Sequence, residues 1–323
     1  MVKIINPNNG LELTRNKDHL IDSRGNKFSI VNNVPRISEL DNYTDNFGFQ
    51  WNKFEATQID RKSDEFNISR NRFFSETHWD QEDLLDKNIL EVGSGAGRFS
   101  KVVLEHTNAT LYSIDYSDAV TANYRNNGSA APERFHLFQA SIYMMPFENN
   151  SFDKVFCLGV LQHTPNFEDS IKALINKAKP GAEIVVDFYP IKGWWTKINA
   201  KYILRPITRR LSHEYLLRII ENNIDWLIKL HFIFHKIGLG VLTRFLPLCD
   251  IHGTFQKNLS GSKLREMAIL DTFDQYSPEY DNPQRISNVV EMFRKNGATV
   301  TFSGFEKYSD GDLFAAVVRA IKD

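Results

Sequence analysis

Between residues 88 and 190 the chain alternates two apolar patterns. Short, nearly continuous apolar runs occur in "NILEVG", "ATLYSIDYS", "RFHLFQAS", "FDKVFCLGVL" and "GAEIVVDFY". They have the length of strands covered on both faces. Between them, "GRFSKVVLEHT", "DAVTANYRNN" and "FEDSIKALINKAK" space their apolar residues as amphipathic helices do. The rhythm returns at the end of the chain, where "ISNVVEMFRKNG" reads as a helix and "ATVTFSGFEKY" and "LFAAVVRAI" as strands. This alternation predicts an α/β fold, a Rossmann-like doubly wound, mostly parallel seven-stranded sheet.

The flanking segments do not follow that rhythm. Residues 1–40 predict a small β element, with two strand-like runs around the turn "DSRG". Residues 41–84 are aromatic and polar, a partly helical lid or linker. The core is expected over 85–189 and again over 281–323. Residues 190–280 read as a helical cap insertion. Stretch 190–250 carries ten Lys/Arg against four Asp/Glu.

Composition narrows the chemistry. The net charge of −1 gives the whole molecule no nucleic-acid footprint. The two cysteines, Cys157 and Cys249, are far apart. They support neither a disulfide framework nor a cysteine-based zinc site, and they suit a reducing cytosol. The N-terminus has no apolar signal region. No apolar run reaches the length of a membrane span.

The densest chemical signal is "ILEVGSGAGRFS", residues 89–100. Glycines at a strand-to-helix turn allow positive φ and close approach of a ligand to the main chain. The dinucleotide fingerprint is G-x-G-x-x-G. Here Gly93, Gly95 and Gly97 are spaced G-x-G-x-G, and Arg98 stands where the third fingerprint glycine would be. Glu91, two residues before Gly93, would repel a pyrophosphate but pair with an ammonium group. Asp115, at the end of "LYSID", is placed to accept hydrogen bonds from ribose hydroxyls. A ribose joined to a cationic amino-acid head describes S-adenosylmethionine.

"ILEVGSGAGRFS", "LYSIDYS", "MMPFENNSFDKVF" and "GVLQHTP", in this order, resemble a class I S-adenosylmethionine-dependent methyltransferase. "FGFQWNKF" and "ILDTFDQYSPEYDNP" resemble a bacterial subgroup that accompanies polysaccharide or specialised-metabolite pathways. The resemblance implies that Glu91, Gly93, Ser94 and Gly95 hold the methionine portion, with Gly97 in the turn. It implies that Asp115 binds the ribose and that Tyr116 lies beside the adenine. Ser141 stands where the family usually has an Asp near the adenine amine, with Ile142 offering backbone contacts. Leu158 and Gly159 would lie near the sulfonium. The N-terminal element resembles a small zinc-ribbon-like module but has no cysteine, so no metal is expected there.

Candidate acceptor-side residues are His163, Asp187 and Tyr189, which follow or end strands at the edge where open α/β sheets bind ligands. His163 is the candidate base, or else it orients its loop. Asp187 and Tyr189 face the acceptor or form a satisfied strand end. Tyr276 and Tyr280 either close the pocket or pack a loop, and Phe47 and Trp51 form a lid wall or core. His252, close to Cys249 and Asp250, makes too sparse a group to predict a metal. The expected function is methylation of a small molecule or sugar at oxygen, in a cytoplasmic protein. Nucleic acid is not an expected partner. Peripheral membrane contact would run through 190–250. The alternatives are a nucleic-acid methyltransferase and a non-catalytic cofactor-binding scaffold.

Overall fold

The computed structural model describes residues 2–38, 42–60, 67–255, 259–308 and 313–323, so positions 61–66 of the aromatic segment lie outside the described residues. In chain order the strands are β1 (Thr14–Asn16), β2 (His19–Ile21), β3 (Lys27–Val31), β4 (Val34–Pro35), β5 (Asn88–Val92), β6 (Thr110–Asp115), β7 (Phe135–Gln139), β8 (Phe152–Cys157), β9 (Ala178–Phe188), β10 (Ala298–Lys307) and β11 (Phe314–Lys322). The helices are α1 (Asp45–Lys53), α2 (Ile68–Thr77), α3 (Arg98–His106), α4 (Ala119–Asn127), α5 (Phe167–Lys177), α6 (Ala200–Thr208), α7 (His213–Lys236), α8 (Ile251–Thr254), α9 (Gly261–Tyr276) and α10 (Ile286–Lys295). The chain divides into two compact units. One is built from Met1–Pro190, Tyr280–Tyr308 and Phe314–Asp323, and the other centres on Ile191–Glu279.

The first unit holds a seven-stranded sheet in the order β10-β11-β9-β8-β5-β6-β7. β5 through β9 are parallel, and β11 runs antiparallel between β9 and β10. This is the Rossmann-like, mostly parallel sheet that the apolar runs predict. The runs are continuous because both faces are covered. In β5, Ile89 enters one apolar cluster with Phe73, Val102 and Val103, while Leu90 and Val92 enter the other with Ile171, Leu174 and Phe293. From β5 the chain winds outward through β6 to β7, then returns to β8 on the other side of β5. Ligands of such sheets bind at this reversal, beyond the carboxyl ends of the strands.

The N-terminal element is a four-stranded antiparallel meander, β1-β2-β3-β4. Its turns converge on one carboxylate. Asp22 accepts from the side-chain amides of Asn6, Asn9 and Asn26 at 2.7–2.8 Å and from the backbone amides of Arg24 and Asn26. Burial alone would raise the Asp22 pKa, but these donors together hold it well below the ordinary carboxylate range. Arg36, just past β4, fixes the meander to the sheet edge by donating to Asp118, Gln139 and Thr121.

The second unit is helical. The buried face of α7, with Leu216, Leu217, Ile220, Ile224 and Leu227, packs with α9. Arg265 of α9 pairs with Asp225 of α7 at 3.1 Å. Ser212 caps α7 by accepting from the Tyr215 amide. No helix among the described residues is long and apolar enough to cross a membrane.

Candidate cofactor and acceptor site

The loop between β5 and α3 sits at the reversal point. Gly93, Gly95 and Gly97 have φ of 81°, 52° and 86°, in the left-handed region that favours glycine. Two of them also have no room for a side chain. A Cβ on Gly93 would lie 2.2 Å from Val160, which follows β8, and one on Gly97 would lie 2.1 Å from Asn123 of α4. Gly93 and Ser94 donate their amides to the Ile114 carbonyl, which draws the loop against β6.

Glu91 is buried on β5. One oxygen accepts from the Ser100 and Ser113 hydroxyls at 2.5 and 2.7 Å. Burial raises its pKa to about 7, against the lowering effect of those hydroxyls. Its other oxygen, Oε1, and the Ser94 hydroxyl are buried without a hydrogen-bond partner among the described residues. Buried polar atoms are seldom left unsatisfied. An acceptor and a hydroxyl beside the loop suit the ammonium and carboxylate of an amino-acid head, so the residues present fit S-adenosylmethionine.

Asp115 closes β6. It accepts from the Gly95 amide at 2.8 Å and from both the amide and the hydroxyl of Ser117. Burial raises its pKa over the lowering effect of these bonds. A carboxylate has about four lone-pair sites, so one ribose hydroxyl can be received directly. A second requires the Ser117 hydroxyl to turn away. Ser141 accepts from the Tyr143 amide at 3.2 Å, and Ile142 beside it is buried. Gly159, after Leu158, has φ of 77° and donates its amide to Asp187.

The structure shows a cover over this loop. α1 carries Phe47 and Trp51 four residues apart, on one face. The Trp51 indole nitrogen lies 3.2 Å from where a Gly95 Cβ would be, so the ring lies on the glycine loop. Phe47 packs 5.0 Å from the His163 ring. His163 is buried in the 3₁₀ turn Leu161–His163 and stands 5.6 Å from the Tyr189 ring. Its Nδ1 lies 3.0 Å from the Tyr280 carbonyl oxygen. A carbonyl can only accept, so Nδ1 carries the proton and Nε2 holds the basic lone pair. Tyr43 lies 5.3 Å from both Tyr116 and Tyr280 and continues this aromatic wall.

Asp187 is engaged differently. Arg72 of α2 donates to one of its oxygens and the Gly159 amide to the other, so it forms a strut between α2 and the turn after β8. Arg72 also donates to the buried Glu76 at 2.6 Å. Burial pushes the Glu76 carboxyl up to about 8 despite Arg72. Arg98 reaches Gln58 and Ser69. This buried charged group carries no sequence signal, because its members lie on distant segments. Gln162 was also missed: it is fully buried, and both atoms of its side-chain amide lack partners among the described residues. Tyr276 and Tyr280, paired in the sequence reading, fall into different units.

A second cluster lies in the helical unit. His231 and His235 of α7 gather with His252 of α8, their ring nitrogens within 4.8 Å of one another. His231 Nε2 is 2.6 Å from His252 Nδ1, and the His235 ring stacks on His252 at 3.8 Å. Burial, followed by the neighbouring imidazoles, lowers the His231 pKa to about 4. The arrangement is a hydrogen-bonded imidazole stack. His252 meets these two histidines on α7, not in the sequence stretch beside it.

Comparison with known proteins bears on the segment that carries the glycine loop. Residues 90–186 match the family model described as a methyltransferase domain. A tRNA U34 carboxymethyltransferase of Nautilia profundicola is 26% identical over 152 residues, covering 46% of this chain and 48% of the relative. A ubiquinone biosynthesis O-methyltransferase of Pseudomonas fluorescens is 28% identical over 139 residues, covering 41% and 58%. The chain thus spans about half the length of these curated relatives. The solved structure of magnesium protoporphyrin IX methyltransferase from Synechocystis overlays with a TM-score of 0.49 at 12% identity, covering 88% of this chain and 99% of that one. The expectation that nucleic acid is not a partner finds no support in relatives of which one is named for tRNA. Residues 90–186 thus match a methyltransferase-domain model and carry the glycine loop on a Rossmann-like sheet, a combination that fits S-adenosylmethionine as cofactor.

Proposed function

We propose that this protein transfers a methyl group to a hydroxyl of a small molecule or a sugar, with His163 as the base. The observation that carries the reading is the Nδ1 contact of His163 with the Tyr280 carbonyl. It fixes the tautomer and leaves Nε2 as the proton-accepting nitrogen beside Phe47 and Tyr189. S-adenosylmethionine supplies a methyl group already activated on a sulfonium. The chain therefore has to position the acceptor and exclude water. A hydroxyl is a weak nucleophile, and removal of its proton by Nε2 raises its reactivity as the new bond forms. The apolar ring faces around His163 keep water from competing for that proton. Gln162, with its unsatisfied amide, is the second acceptor contact in this reading. Glu91 and Ser94 hold the amino-acid head, and Asp115 the ribose.

A second reading, an RNA acceptor, is favoured by the tRNA-modifying relatives. One experiment separates the two. Labelled methyl groups from S-adenosylmethionine are followed into a host lysate fractionated into lipid, polysaccharide, small molecules, RNA and protein, with Asp115→Ala as control. Label in the small-molecule, polysaccharide or lipid fraction supports the first reading. Label in RNA replaces it with the second. Label in no fraction above the control rejects both.

A further inference from the structure

The surface of the helical unit has an apolar stripe that is exposed among the described residues. At 100° per residue, the buried residues of α7 form one face. Tyr215, Ile219, Trp226 and Ile233, with Ile237 just past the helix end, are all exposed. They fall in a sector of roughly 40°, centred about 130° from the buried face. The stripe runs for about 33 Å at 1.5 Å per residue. At its C-terminal end the 3₁₀ turn Gly240–Phe245 adds Val241, 70% exposed. Arg244 of that turn donates to the Trp195 carbonyl at 2.6 Å. This brings in the turn Trp194–Lys197, where Trp194 is 79% exposed.

Over the C-terminal half of the stripe the charge has one sign, whereas the N-terminal half carries Glu214, Glu221 and Asp225 beside Arg218. From Trp226 to Cys249 there is no Asp or Glu, and Lys229, Lys236 and Arg244 punctuate the segment. Arg218, Lys229 and Lys236 flank the stripe along one edge of the helix. Asp225, the nearest acid on α7, is turned to Arg265. The Trp226 indole donates to Asn223 within the helix at 2.8 Å, so its ring can enter an apolar layer with its N–H satisfied.

We infer that this surface docks on an anionic lipid bilayer, with α7 lying in the interface and the Trp194 and Val241 turns inserted. Amphipathic helices with aromatic and aliphatic residues on one side and cations beside them bind such surfaces, by apolar burial and by attraction to anionic headgroups. A second copy of the chain fits less well. Helices packed along this stripe would bring positions 222, 229 and 236 into the seam, and these hold Asn222, Lys229 and Lys236. The like charges would oppose each other there, whereas an anionic bilayer neutralises them. The helix does not span the bilayer, since Glu214, Arg218, Glu221, Asp225, Lys229 and Lys236 punctuate it.

The inference is independent of which acceptor is methylated. Its test is flotation of the full chain with phosphatidylcholine vesicles, with and without phosphatidylglycerol, while S-adenosylmethionine binding is measured on the same samples. Binding to the anionic vesicles only is expected, falling with added salt. Trp226→Glu should abolish it, and Lys229→Glu with Lys236→Glu should weaken it at least about tenfold. All variants should keep normal cofactor binding. Equal binding to both vesicle types, binding to neither, or a dimer that Trp226→Glu dissociates would overturn the inference.

Discussion

The backbone amide of Gly95 donates to the Asp115 carboxylate at 2.8 Å. The bond joins the loop after β5 to the end of β6, the two places where the sequence puts the amino-acid head and the ribose. Asp115 therefore shapes the loop, in addition to the ribose contact proposed for it. Asp115→Ala removes both functions, and Asp115→Asn retains only an uncharged acceptor. Hydrogen bonds to charged groups contribute about 1.5–3 kcal/mol each. The Asn variant should bind S-adenosylmethionine about 10- to 100-fold more weakly, and the Ala variant should show no saturable binding by calorimetry.

Glu91 gives cofactor binding a pH dependence. With its carboxyl raised to about 7 by burial, it is largely protonated below that pH in the free protein. An ammonium partner favours the ionised form, so binding must expel a proton below pH 7. Affinity should fall roughly tenfold per pH unit from 7 to 5.5 and be nearly flat above 8. The sign for stability is opposite. Because the folded pKa is raised, the cofactor-free protein loses stability from this group as pH rises from the ordinary carboxylate range through about 7. Glu91→Gln should remove the proton release seen in buffers of different ionisation enthalpy.

His163 and Asp187 are distinguished by what each variant loses. His163→Gln should lower kcat by about 100-fold or more and leave the melting temperature and cofactor affinity near wild type. Asp187→Ala breaks a buried pair with Arg72 and leaves the Gly159 amide without this acceptor, a loss of about 3 kcal/mol or more. Its main effect should be on thermal unfolding. Loss of activity at unchanged stability in Asp187→Ala would give Asp187 a chemical role instead.

Trp51 lies on the glycine loop, so in the proposed binding mode the indole neighbours the cofactor. Trp51→Ala should weaken cofactor binding about tenfold, by loss of an aromatic cover, while Trp51→Phe should keep most of it. Stopped-flow fluorescence of wild type against Trp51→Phe would show whether the binding signal comes from this ring.

The sheet was legible in the sequence because strands buried on both faces must be apolar along their length, as in "IVVDF" of β9. The glycine loop was legible because its cause is local: three positive φ angles within five residues. What was not legible depends on long separations. Arg72 meets Asp187 across 115 residues and Arg36 meets Asp118 across 82, and neither pairing leaves a spacing to read. Trp51 and Phe47 read first as core and only secondarily as a lid wall, since an aromatic pair four residues apart suits both. His252 had a visible neighbour in Asp250, but its partners lie on α7, about 20 residues earlier in the chain. The second stripe of α7 was visible only as general apolarity, because a helix apolar on two sides has a weak period.

The most direct test of the account is calorimetric titration of the purified chain with S-adenosylmethionine and, separately, with NAD. The Gly93–Gly97 loop, Glu91 and Asp115 predict saturable one-to-one binding of S-adenosylmethionine that Asp115→Ala eliminates, and no binding of NAD. Saturable binding of NAD, or of neither ligand, would contradict it.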